Sequence, residues 1–96
     1  MKPANVEQIE NETPFVLDLT IENVLEGSTL SDVDRDYFIR FAERWVRWQY
    51  ANNPPFKNKM MKGDRQYVED FIAHWRDAFN VNPERFKDLH PVNMLV

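Results

Sequence analysis

The residues best placed to do chemistry in this 96-residue chain are its acids and its two histidines. Asp32, Asp34 and Asp36 recur at every second position, with Glu43 further on. Carboxylates in such a run can supply several oxygens to one hard cation if the backbone curls around it. His74 stands between Asp70 and Asp77 at helical spacing, a set that could ligate a metal, but the His-Glu-x-x-His spacing of a zinc helix is absent. His74 is better read as the edge of a helix stripe among salt-bridging acids. Ser28 and Ser31 fall at a turn and a helix cap. Gly27 and Gly63 are the only glycines, too few for a phosphate-cradling loop, and there is no cysteine for a thiolate or a disulfide. No acid, base and nucleophile converge. The chain therefore reads as non-catalytic, with no cofactor and no metal.

The run from Asp32 to Glu43 resembles an EF-hand calcium loop. Asp32, Asp34 and Asp36 occupy the first three ligand positions, Ile39 the apolar position and Glu43 the closing bidentate position. Tyr37 departs from the pattern, because it stands where the loop needs the positive φ that glycine adopts freely. A helix start accounts for the same acids. Ser31 followed by Asp34 forms a capping box, and Asp32 and Asp34 complement the helix dipole in the first turn. Continued helix pairs Asp36 with Arg40 and Glu43 with Arg47 at i,i+4 spacing.

Net charge is −4, and it is segmented. Residues 1–36 hold nine acids and two bases; residues 37–62 hold six bases and one acid. Either the acidic part lies beside the basic middle within the fold, or one segment faces a charged partner. Arg40, Arg44, Trp45, Arg47 and Trp48, then Phe56, Lys57, Lys59 and Lys62, mix bases with aromatics. Cations meet phosphates and rings stack on bases in nucleic-acid binding, so this segment carries the alternative functional reading. The acidic first third could instead mimic nucleic acid.

A chain of this length forms one domain with a small core. Seven Phe, three Trp and three Tyr supply large apolar side chains for it. Residues 1–13 lack apolar periodicity and read as a flexible acidic arm, leaving 14–96 as a single helical domain. Phe15, Leu17, Leu19 and Ile21 alternate with Val16, Asp18, Thr20 and Glu22, the period of a strand. A helix over Thr20–Leu25, ended by Gly27, is the alternative. A long helix is predicted from Asp32 to about Asn52, stopped by Asn53-Pro54-Pro55. Phe56–Gly63 reads as a basic connector. A second long helix, antiparallel to the first, spans about Asp64–Asn80. Asn82-Pro83 opens a short third helix to about Leu89. The fold class is thus mainly α, with an extended or strand-like N-terminal segment.

On the first long helix Tyr37, Phe38, Ile39, Phe41, Ala42, Trp45, Val46, Trp48 and Tyr50 fill a sector roughly 220° wide, against about 100° for one packing face. Either the chain covers both sides of that helix itself, or part of it meets another protein. The second possibility leads to a non-catalytic protein–protein interaction module: an accessory subunit, assembly factor or inhibitor. Its anchors would be Trp45, Trp48 and Tyr50, with Arg44 and Arg47 setting register. The partner is another protein or a second copy of the chain. No apolar run reaches membrane-spanning length and residues 1–13 carry no signal-peptide core, so a soluble, cytoplasmic protein is expected.

Overall fold

The computed structural model describes residues 4–84 and places five helices there: α1 (Val6–Glu12), α2 (Leu17–Leu25), α3 (Asp32–Asn52), α4 (Pro54–Met61) and α5 (Arg65–Val81). No strand occurs among the described residues. The long central helix α3 packs against all four others.

The strand expected at Phe15–Glu22 is a helix. Over a longer window the buried residues are Leu17, Thr20, Ile21, Val24 and Leu25, a stripe at three- and four-residue spacing. Leu19, inward in the strand reading, is 48% exposed. The apolar run was simply too short for its two-residue period to be distinctive. Gly27, at φ +78°, ends the helix turn. The last carbonyls of α2 receive cations from elsewhere in the chain. Arg35 Nη1 donates to Leu25 O at 3.4 Å and Arg76 Nη1 to Val24 O at 2.6 Å. These guanidinium groups satisfy acceptors that a helix end leaves open.

Residues 6–12 form α1, where a flexible arm was expected. About two turns of helix are not stable alone. Here Ile9 is fully buried, and two long-range bonds tie the segment down: Arg47 Nε donates to Ala4 O at 2.7 Å, and the Tyr50 hydroxyl donates to the Glu12 carboxylate. Ile9 is the one fully buried residue of α1, with Val6 only partly buried against the core, so no extended apolar periodicity exposed it.

The expected connector Phe56–Gly63 is largely helical. Pro54 and Pro55 end α3 but open α4, since a first-turn proline lacks only an N–H that no helix partner would use. Phe56 and Met60, four residues apart, are both fully buried. Gly63 closes the helix at φ +76°. The helix expected from Pro83 to about Leu89 lies, from residue 85 on, outside the described residues.

Ser31 and Asp64 cap α3 and α5. The Ser31 hydroxyl accepts from Asp34 N at 3.2 Å, and the Asp64 carboxylate accepts from Tyr67 N at 3.1 Å. The segment Asp32–Glu43 is continuous helix, and Asp36 pairs with Arg40 at 2.8 Å. Among the described residues no three His, Asp or Glu side chains gather as a metal site would require.

Aromatic contacts join α3 to α5. Tyr37 meets Phe79 at 6.0 Å, Phe41 meets Trp75 at 6.1 Å and Trp45 meets Phe71 at 5.6 Å between ring centroids. Residue numbers rise along one helix as they fall along the other. Trp45 also meets Phe56 of α4 edge-on at 5.4 Å. The apolar sector of α3 is wide because four helices of the same chain cover it.

Candidate functional site

That packing changes what α3 offers to a partner. Trp45 and Tyr50, expected as anchors, are 1% and 2% exposed and belong to the chain's own core. Tyr50 is enclosed by the α1 contact, and Lys57 Nζ lies 5.2 Å from its ring centroid. Burial, then the bond to Glu12, pushes the Tyr50 phenol up to about 12. The same hydrogen bond, with the nearby Lys57 charge, holds the Glu12 carboxyl below its ordinary range. Arg47 is half-buried and directed at Ala4 O, with Glu43 at 4.0 Å. Trp48 is half-buried and Arg44 is exposed. These five residues do not form one site.

The basic segment is likewise partly occupied. Arg47 serves α1, Lys57 stands over Tyr50, and Lys59 lies 3.5 Å from Asp64 and 5.4 Å from the Tyr67 ring centroid. Arg44 and Lys62 remain exposed. Between the acidic first third and the basic middle, Asp36 pairs with Arg40 within α3 and the Lys57 charge lies near Glu12.

A groove of about 480 Å³ runs between α3 and α5. Its α3 wall is Trp45, Gln49 and Asn53, successive residues of one i,i+4 row; its α5 wall is Asp70, Phe71, His74 and Trp75, two adjacent rows. The helices supply apolar walls because the aromatic stripe of each turns toward the other. They supply polar groups because α3 carries an amide one turn beyond Trp45. Gln49 is only 6% exposed, and its Oε1 accepts from Asn53 Nδ2 at 2.6 Å. That bond leaves the Gln49 amide nitrogen as a donor. The Trp45 indole N–H is buried with no hydrogen-bond partner among the described residues. An orphaned donor of this kind costs about 1–3 kcal/mol.

The α5 wall contributes the exposed surface. Phe71 is 37% exposed although its ring also packs 4.9 Å from Tyr67 and 5.8 Å from Phe56. Asp70 is exposed and accepts from Gln66 at 2.7 Å, and His74 meets Trp75 edge-on at 5.4 Å. Sequence reasoning weighed His74 with Asp70 as metal ligands against the salt-bridging edge of a helix stripe, and named neither Phe71 nor Trp75 as a site residue. The available signal was the pairing of Asp70 and Phe71 with His74 and Trp75 at i,i+4, which sets a polar row beside an aromatic one.

Comparison with known proteins gives no matching family model, no similar curated protein and no similar solved structure. The chain's own geometry carries the functional reading.

Proposed function

We propose that this chain is a non-catalytic protein–protein interaction module, an accessory subunit, assembly factor or inhibitor, that takes a segment of a larger protein into the α3–α5 groove. The observation that supports this reading is the groove itself. Its volume falls in the range of roughly 300–1,000 Å³ common to binding clefts. Aromatic side chains with a few polar groups are the composition favoured at interface anchors. Phe71 and the half-buried Trp75 supply the apolar surface in place of the buried Trp45 and Tyr50, while the half-buried Trp48 and the exposed Arg44 lie on α3 beyond the groove. No helix among the described residues is long and apolar enough to cross a membrane. A cytoplasmic setting belongs to the proposal.

The test is capture from native lysate on the tagged full chain, with nuclease and high salt, in parallel with Phe71→Glu and Trp48→Glu. The reading expects a stoichiometric protein that survives both treatments and is lost with Phe71→Glu while helical circular dichroism persists. Only nuclease-sensitive material, or equal capture by both variants, overturns it. Binding lost with Trp48→Glu alone moves the interface off the groove.

A further inference from the structure

Resting on that reading, we infer that the groove holds a basic side chain of the partner segment, a lysine ammonium or an arginine guanidinium, with the adjoining peptide carbonyl as a second contact. Among the described residues, Phe71 at 37% exposure and the half-buried Trp75 line the groove with the buried Trp45, together with His74 and one carboxylate, Asp70, and with neither lysine nor arginine. Aromatic faces attract cations through the ring quadrupole, most strongly in tryptophan. An ionised carboxylate has room for several donors, and Asp70 has Gln66 on one oxygen. A neutral apolar occupant would desolvate Asp70 with nothing in return, and an anionic one would meet a like charge. A basic side chain avoids both: its methylene stem lies along Phe71 while its charged head reaches Asp70 and the water beyond.

The polar groups of α3 point to a peptide rather than a free amine. Trp45 holds a buried N–H without a partner among the described residues, and Gln49 has its oxygen committed to Asn53, so both have a donor to offer. A carbonyl is the acceptor they lack, and a peptide brings one a few bonds from the cation. The net charge of −4 favours approach of a basic partner as well.

The experiment titrates the isotopically labelled full chain with four probes, followed by amide and indole N–H resonances. The probes are N-acetyl-lysine methylamide, the arginine counterpart, the neutral norleucine counterpart and tetramethylammonium chloride. The lysine or arginine probe is expected to bind about tenfold tighter than norleucine, to move the Trp45 indole N–H together with the Phe71 and Trp75 resonances, and to bind more tightly than tetramethylammonium, which lacks the carbonyl. Asp70→Asn, at an exposed position that keeps its Gln66 bond, is expected to bring both cations down to the norleucine level without changing the circular dichroism. Equal binding of norleucine, equal binding of tetramethylammonium, shifts confined to other surfaces, or no shift with any probe overturns the inference. A protein captured from lysate that is lost with Phe71→Glu but retained with Asp70→Asn overturns it too, while the interaction reading stands.

Discussion

The Tyr50 hydroxyl of α3 donates to the Glu12 carboxylate of α1, across 38 residues of sequence, and Lys57 of α4 faces the same pair. Three helices therefore meet at one polar contact. Its pH dependence has two limbs. Glu12 titrates below its ordinary 4.5 in the folded chain, so its contribution is present above that value and is lost as pH falls through the folded value. Tyr50 is raised from 10.0 to about 12, so its contribution is present below 10 and is lost as pH rises toward 12. Tyr50→Phe should remove both limbs attributable to this pair and speed amide exchange over residues 6–12. Denaturant midpoints across pH, with hydrogen exchange near neutrality, check it; unchanged exchange in α1 would show that Ile9 and Arg47 hold the helix without the phenol.

Substitutions on α2 distinguish its helical face from a strand face. Leu19→Glu should change stability by no more than about 0.5 kcal/mol, as for most surface positions. Ile21→Glu should unfold the chain or nearly so, because it sets a charge in the core where Ile21 is fully buried. In a strand both residues would share one face and respond alike. Equilibrium urea unfolding of the two variants decides.

The two glycines should differ on replacement by alanine. Both have positive φ, which costs a side-chain-bearing residue roughly 1–2 kcal/mol. At Gly27 a Cβ would meet nothing within 4 Å, whereas at Gly63 it would lie 3.1 Å from Pro14 Cγ. Gly63→Ala should therefore be the more destabilising, as measured by thermal unfolding. An equal loss at the two positions would mean that Pro14 moves aside freely.

Calcium provides a check on the start of α3. With Asp32–Glu43 helical and Ser31 as cap, millimolar calcium should leave the melting temperature unchanged, while Ser31→Ala should lower stability by about 1 kcal/mol. A calcium-dependent rise would require the first three turns of α3 to reopen as a loop.

The parts of this fold legible in the sequence were those with long periodic signals and strong caps. Asp32–Asn52 and Arg65–Val81 carry five or more aromatic and aliphatic residues at helical spacing, and Ser31 and Asp64 mark their starts. The short helices were legible only in part: a helix over Thr20–Leu25 stood as the alternative to the strand, while α1 and α4 gave no such signal. In α2 four alternating residues imitated a strand until Val24 and Leu25 were counted in the same stripe. In α4 the Pro54-Pro55 pair was a stop signal for one helix and a start signal for the next, and only Phe56 and Met60 distinguished the two. In α1 stability resides in contacts to Ala4 O, Glu12 and Ile9 from residues far along the chain, which local pattern does not contain. The site suffered from the same limit. The width of the apolar sector on α3 was correctly visible, but how many helices of the same chain would cover it was not. Trp45 and Tyr50 therefore looked like surface anchors. The groove depends on how Trp45, Gln49 and Asn53 face Asp70, Phe71, His74 and Trp75, a juxtaposition made by packing alone.

On the proposed function a partner enters between α3 and α5. The measurement closest to it is the amide and indole N–H spectrum of the labelled full chain with and without the protein captured in the lysate experiment. The Trp45 indole N–H and the amides of Gln49, Asp70, Phe71 and His74 are expected to move most. Changes centred on the exposed Val16 and Leu19 of α2, with the groove resonances unmoved, would contradict it.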